Sequence, residues 1–349
     1  MMNVLKKYKW LMVIAGAVII LGSTAYMNRS TLAMWGFDIF LSDGIEKKLE
    51  KSYKPLEGRD PKPVSYEAPK KLEPFSMLLL GIDRRGQERG RSDTMIYTVV
   101  RPADGALLMV SIPRDAFVTI PGRKNGDKIA HAYAYGAAEL AVETVEKLFD
   151  QRVDHYAAIN FDGFKEAIDA LDGIPLPIEN DIINKDPNHE KFIVKAGQDL
   201  YNGQDALNFV RYREDSDMNR TGRHQLFINA LLNRATDVGQ WTKIPHLIDI
   251  MGENFSTDLT PDDMIDLGKS MLQAGTRTIY GHSLKGEGRL ENRVGGWYYD
   301  LDDEDLDKAK AWIENWLDAS VPKGQLLLPD QYQSKKPVQS LSASEEVQP

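Results

Sequence analysis

Ser76-Met77-Leu78-Leu79-Leu80-Gly81-Ile82 is the stretch on which the fold of this chain turns. A continuous apolar run that closes on a glycine is what a strand buried on both faces looks like. Two more strands follow at once. TMIYTVVR (Thr94–Arg101) and ALLMVSI (Ala106–Ile112) are rich in β-branched residues and are joined by the turn Ala103-Asp104-Gly105, so they are expected to pair as a hairpin. Helix-period segments from about Tyr135 to Phe149 and from Phe161 to Leu171 then bracket a further strand, HYAAINF (His155–Phe161). Strands alternating with helices imply an α/β domain. The expected fold is a layered α/β/α domain with a mixed central sheet flanked by helices, plus an N-terminal transmembrane helix.

That helix is expected over residues 10–28, WLMVIAGAVIILGSTAYMN, which carry no charge and would span roughly 28 Å at ~1.5 Å per residue. Lys6, Lys7 and Lys9 precede it, so residues 1–9 form a short cytoplasmic tail and everything after Arg29 lies outside, a single-pass type II arrangement in the cell membrane. A cleaved signal peptide is the rival reading, with Ser23 and Ala25 as its small residues, although the apolar run is longer than a usual signal core. The stretch Thr31–Leu41, with Trp35, Phe37 and Phe40, suits either the membrane surface or packing against the domain. Residues 29–74 form a juxtamembrane segment and linker; from Ser42 to Pro74 they are rich in Lys, Glu and Pro and read as a helical start followed by a stiff, solvated linker. The folded domain is expected over 75–329, its later third mostly helical, with segments near Arg220–Asp237 and after Thr260-Pro261-Asp262-Asp263. Residues 330–349 have few apolar side chains and are expected to be a disordered tail.

Composition narrows the function. Lys and Arg number 43 against 52 Asp and Glu, a net charge of −9 that repels a nucleic-acid backbone. Without cysteine there are no disulfides, no thiolate chemistry and no zinc-thiolate site. Gly-x-Ser-x-Gly, His-Glu-x-x-His, a Walker loop and the dinucleotide glycine fingerprint are all absent. What remains is Arg and Asp gathered at the ends of expected strands, where an α/β sheet usually places its ligand.

Four clusters carry that pattern. Gly81-Ile82-Asp83-Arg84 and Gly90-Arg91-Ser92-Asp93-Thr94 put carboxylates and guanidiniums at the two ends of one loop. Ser111-Ile112-Pro113-Arg114-Asp115 ends a strand at Pro113 and leaves Arg114 at its terminus. Lys128-Ile129-Ala130-His131-Ala132-Tyr133-Ala134-Tyr135-Gly136 lies just before a helix. Last come Arg211-Tyr212-Arg213, Asp217, Arg220, Arg223 and Gln225; were Arg211–Arg213 extended, both arginines would share a face. Arginine suits phosphate because its planar fork donates paired hydrogen bonds and stays charged. Asp83 and Asp93 suit a hard divalent metal bridging phosphates, magnesium or alternatively manganese.

Together these blocks resemble the LytR-CpsA-Psr family of bacterial cell-wall enzymes. LLLGIDRR, GRSDTM, SIPRD, KIAHAYAYG, VDHYAAINFDGF with DALDGI, and ALNFVRYR leading to Asp217 and Arg220 stand in the family's order between Phe75 and about Arg234. The resemblance implies a phosphotransferase that takes a glycopolymer of teichoic acid type from a polyprenyl pyrophosphate, joins its phosphorylated end to the C6 hydroxyl of muramic acid in peptidoglycan, and releases polyprenyl phosphate. It further implies that Arg84, Arg91, Arg114, Lys128, Arg211, Arg213 and Arg220, assisted by Gln225, grip the pyrophosphate. Asp83 and Asp93 would hold magnesium, one of them orienting or deprotonating the acceptor hydroxyl, and Arg114 would act in catalysis beside them. The lipid would lie in an apolar pocket between sheet and helices, and the protein would sit in a Gram-positive envelope. The chain departs from the family at Ala130, where Asn is frequent, at Asn219 in place of Gly, and at His224-Gln225 in place of paired glutamines. Two alternatives stay open at this point: a pyrophosphatase that transfers to water, and a non-catalytic lipid-binding regulatory protein.

Overall fold

The computed structural model describes residues 48–59, 73–84, 90–185, 191–212, 217–235, 237, 240, 243–273, 278–291 and 296–333. The expected cytoplasmic tail, membrane span and surface stretch before residue 48, and the tail beyond residue 333, lie outside the described residues. Among the described residues no helix is long and apolar enough to cross a membrane.

In chain order the strands are β1 (Phe75–Asp83), β2 (Arg91–Arg101), β3 (Ala106–Ile112), β4 (Phe117–Val118), β5 (Asp127–Lys128), β6 (His155–Asn160), β7 (Ile182–Asn184), β8 (Phe192–Val194), β9 (Phe255–Thr257), β10 (Thr278–Ser283), β11 (Gly286–Glu291) and β12 (Gly296–Leu301). The helices are α1 (Ala130–Phe149), α2 (Phe161–Ala170), α3 (Gly203–Arg211), α4 (Asp217–Ala235), α5 (Ile244–Asn254), α6 (Pro261–Gln273), α7 (Asp303–Leu317) and the single turn α8 (Asp330–Gln333). The central sheet runs β10-β3-β2-β1-β6-β9, antiparallel through β1, β2 and β3 and parallel at β1–β6 and β3–β10. It is the mixed sheet the sequence predicts.

Alternation along the strands explains the two covered faces. Leu78, Leu80, Ile82, Tyr97 and Val99 share a core with Val142 and Phe149 of α1 and Trp312 and Trp316 of α7. Phe75, Met77 and Leu79 turn the other way and meet Leu259, Met264 and Leu267. Arg101, at the end of β2, is 4% exposed and is satisfied by Asp104 and by the carbonyls of Trp316, Asp318 and Val321. A buried charge is tolerable because each face of its fork finds an acceptor, and that fork straps the end of α7 to the sheet.

Three expectations need adjustment. The last third holds the helices expected near Arg220–Asp237 and after Thr260, but it also supplies the edge strand β10 and the hairpin β11–β12, which the sequence did not announce. The expected helical start is met at residues 48–52, but residues 48–59 are not solvated linker: Leu49 packs with Ile248, Ser52 is buried, and Tyr53 bridges Thr257. The tail does not begin at 330, because α8 places the Tyr332 ring 5.1 Å from Tyr280 and its hydroxyl on Gln225. The helix expected from about Tyr135 to Phe149 is present as the long part of α1, which follows non-helical backbone at Gly136 and Ala137 and is preceded by a shorter helical piece from Ala130.

Candidate active site

Charged side chains converge where β1 and β3 end and β2 begins. The β1–β2 register shifts between Gly81 and Ile82, so that Gly81 faces Thr94 while Ile82 faces Ser92 and Asp93 is the extra residue of a bulge. Bulges re-aim a side chain. Asp93 Oδ1 accepts from Arg114 Nη1 at 2.8 Å, and its second oxygen has no bond among the described residues. Gly90 closes the neck of the loop with φ +81°, and a Cβ there would stand 2.6 Å from the carbonyl of Asp83. Only glycine fits so tight an approach at positive φ.

The turn after β3 is tied down by its backbone. Ala116 N–H donates to Pro113 O, Ile129 N–H to Ala116 O and Ala130 N–H to Arg114 O, while Phe117 pairs with Lys128 across β4–β5. Lys128 is thereby brought to Asp115, with Nζ 2.7 Å from Oδ1, and Arg114 Nε reaches Asp115 Oδ2 at 3.4 Å. The result is a chain Asp93–Arg114–Asp115–Lys128 in which both cations are partly exposed. Burial works against the Arg114 charge, but Asp93 and then Asp115 hold its pKa above the ordinary value. Burial likewise works to raise Asp115, yet Lys128 and Arg114 hold its carboxyl below the usual range. Next to this chain Asp127 accepts from the Tyr135 hydroxyl at 2.7 Å, lies 3.0 Å from His131 Nδ1, and caps the Lys128 N–H.

Gly81 and Thr94 also belong to the second feature, an apolar cavity of about 260 Å³ on the α2–α4 face of the sheet. Leu79, Ile96, Phe164, Leu207, Phe227 and Leu231 line it, and its polar rim holds Arg211 and His224. The Arg211 guanidinium lies 4.5 Å from the centre of the Phe161 ring. Asp93 immediately precedes Thr94 and Asp83 stands two residues beyond Gly81, so the charged chain and the cavity share the ends of the same two strands.

Other expected site residues are placed less uniformly. Arg84 and Arg91 are exposed at the two ends of the loop, and Asp83 is half-buried opposite Arg91. Arg211 closes helix α3 and is not extended, so the shared-face argument for Arg211 and Arg213 does not hold; Arg213 and the side chain of Arg220 lie outside the described residues. Gln225 hydrogen-bonds the Tyr332 hydroxyl at 2.9 Å and packs on Gly281 of β10, which ties it to the C-terminal turn and not to the Arg114 chain. Arg223 is buried, donating to Tyr212 O. Sequence reasoning missed Asp115 as the carboxylate between Arg114 and Lys128, and it could not name the cavity. The only signal for Asp115 was its place beside Arg114 in SIPRD.

The LytR_cpsA_psr family model matches residues 40–314. A relative from Bacillus licheniformis, named polyisoprenyl-teichoic acid–peptidoglycan teichoic acid transferase TagU, is 33% identical over 248 residues, 70% of this chain and 78% of that one. Its namesake from Halalkalibacterium halodurans is 32% identical over 302 residues, covering 84% of this chain and 96% of the other. Among solved structures, one described as TagT bound to LIIa-WTA superposes with a TM-score of 0.60 at 27% identity, over 76% of this chain and 99% of that chain. Bacillus subtilis TagV superposes with a TM-score of 0.60 at 30% identity, over 72% and 99%.

Proposed function

The chain belongs to the LytR_cpsA_psr family, and on that premise we propose that it transfers an anionic glycopolymer of teichoic acid type from a polyprenyl pyrophosphate to peptidoglycan. The observation that carries the reading is the cavity meeting the charged chain at Gly81 and Thr94. An apolar pocket beside a cluster of cations fits one ligand, a lipid with an anionic head. Relatives named for the same transfer support the choice of polymer and acceptor.

The polyprenyl chain enters among Leu79, Ile96 and Phe227, each buried CH₂ contributing about 0.8 kcal/mol. Arg114 and Lys128, joined by Arg84, Arg91 and Arg211, take the pyrophosphate, and Arg213 and Arg220 complete the grip. Asp115 holds Arg114 and Lys128 at a fixed spacing. The C6 hydroxyl of muramic acid attacks the phosphorus next to the sugar; its O–P bond forms as the P–O bond to the departing polyprenyl phosphate breaks. The hydroxyl proton passes to Asp83 or Asp93. Little covalent chemistry is asked of the protein, since phosphoryl transfer is driven by positioning and charge neutralisation.

The donor set suits magnesium. Two carboxylates with phosphate oxygens and water are its usual partners, and among the described residues no cluster of three acidic or His side chains forms a cage of the protein's own. Asp83 and the free oxygen of Asp93 would hold it, and manganese would fit the same donors; when bound it neutralises charge building on the phosphates. Residues 10–28 anchor the chain in the membrane with the catalytic domain outside.

Product identity tests the reading. The full chain is supplied with a polyprenyl-pyrophosphate saccharide, peptidoglycan fragments and magnesium, and the products are read by mass spectrometry. A phosphodiester conjugate together with polyprenyl phosphate is expected; free phosphorylated saccharide alone would mean transfer to water.

A further inference from the structure

We propose that the outer face of the β7–β8 hairpin, Ile183 and Ile193 framed by lysines, rests on the bilayer surface and holds the lipid cavity at the membrane. The proposal rests on the reading that a polyprenyl donor occupies that cavity, and on the hairpin's own geometry for the contact.

Alternation divides the hairpin into two faces. Ile182 pairs with Val194, Ile183 with Ile193 and Asn184 with Phe192. Ile182, Phe192 and Val194 turn inward and join the cluster that holds Phe164, Phe227, Ile228 and Leu231. Those four residues also wall the cavity, so one face of the hairpin braces the lipid pocket. Ile183 and Ile193 stand directly opposite each other on the other face, 36% and 54% exposed. Two large aliphatic side chains paired across a ribbon would ordinarily be turned inward, because leaving them in water forgoes the free energy of burying them.

The same face carries Asp181, Lys185, Lys191 and Lys195, all exposed. Lys195 lies 2.7 Å from Asp181 and neutralises it. An aliphatic pair framed by lysines matches the boundary of a phospholipid bilayer: the side chains enter between head groups while the ammonium groups stay with the phosphates. The joining loop, residues 186–190, lies outside the described residues. Its Asp186 and Glu190, with Asp181, balance the three lysines, so the contact is apolar first and salt changes it little.

Two further observations select the bilayer. The cavity of about 260 Å³ is smaller than the ~300–1,000 Å³ of pockets that enclose drug-sized ligands, so it takes up only the head-proximal part of a polyprenyl chain. The rest of that chain stays in the membrane, and the cavity has to be held against it. A second copy is a poor occupant, since two isoleucines a side fall far short of the roughly 1,000 Å² that a stable interface buries. A bilayer needs no such area: the anchor expected at residues 10–28 already keeps the chain there, and the pair has only to orient the domain.

The chain has no cysteine, so single sites can be spin-labelled. Full-length Ile193→Cys carrying a nitroxide is placed in vesicles of phosphatidylglycerol and phosphatidylcholine. Relaxation by oxygen, which concentrates in lipid, is compared with relaxation by an aqueous nickel chelate. Leu327→Cys is the control, exposed on the α7 side of the sheet. The label at position 193 is expected to be shielded from nickel about fivefold or more relative to 327. Equal nickel access at both positions overturns the proposal. So does dipolar broadening between labels at 193, which would make the face a contact between copies. Ile183→Ser combined with Ile193→Ser should raise KM about tenfold for long-chain donor embedded in vesicles, leaving kcat and the KM for a water-soluble short-chain donor unchanged. An equal loss with both donors would place the effect inside the pocket and overturn the contact. Because label access is read without turnover, a shielded position 193 in a chain that transfers nothing keeps the contact and sinks the transferase. Transfer by a chain whose position 193 stays open to nickel does the reverse.

Discussion

Arg114 is the residue through which the site is assembled, since it bonds Asp93 on one side and Asp115 on the other. Arg114→Ala is expected to weaken polyprenyl-pyrophosphate binding by about 1.5–3 kcal/mol, the worth of a charged hydrogen bond, as measured by calorimetry; unchanged affinity would remove it from the site. Asp93→Asn should keep most of that binding yet lower turnover by at least roughly 100-fold, and full activity would defeat both its metal and its proton-transfer role. Asp115 makes a prediction in pH. Its carboxyl is depressed by Lys128 and Arg114, so its contribution to stability is complete above the unfolded value of ~3.9 and is lost as pH falls through the folded one. Asp115→Asn should therefore be less stable than the parent at neutral pH, with the gap in melting temperature closing below about pH 4. A gap independent of pH would contradict the assignment. Residue types and order singled out Asp93, Arg114 and Lys128, which the fold brings into one chain with Asp115. The pairing Asp115–Lys128 was not legible in the sequence, because it depends on β4 and β5, two-residue strands that leave no periodic signal.

At the scale of elements, the apolar runs of β1, β2 and β3 were readable because both faces of each are covered, by α1 and α7 on one side and by α2–α6 on the other. β10, β11 and β12 were not readable for the converse reason. TIYGHS, GEGRLE and GWYYDL are broken by glycine and carry polar groups at sheet edges, where one side meets solvent. The cavity is likewise a product of packing: the helices α2, α3 and α4 stand off the sheet where Gly81 and Ala157 present little side chain. Ala167→Phe on α2 projects a ring into that space. It should abolish polyprenyl binding while leaving the melting temperature within a few degrees, whereas retained lipid affinity would show that the chain lies elsewhere.

Across the whole molecule, an acidic surface of net charge −9 surrounds a local concentration of arginine and lysine at the sheet's end. Such a field does not gather anions at long range, so on the proposed reading an anionic donor would be held by short-range pairs and by its lipid in the cavity. The central claim is thus that one amphipathic donor occupies both features at once. The most direct measurement is a crystal structure of the chain soaked with a polyprenyl-pyrophosphate saccharide. The account predicts the prenyl chain among Leu79, Ile96 and Phe227, with the pyrophosphate in hydrogen-bond reach of Arg114 and Lys128. A lipid bound outside that cavity, or a pyrophosphate held away from Arg114, would contradict it.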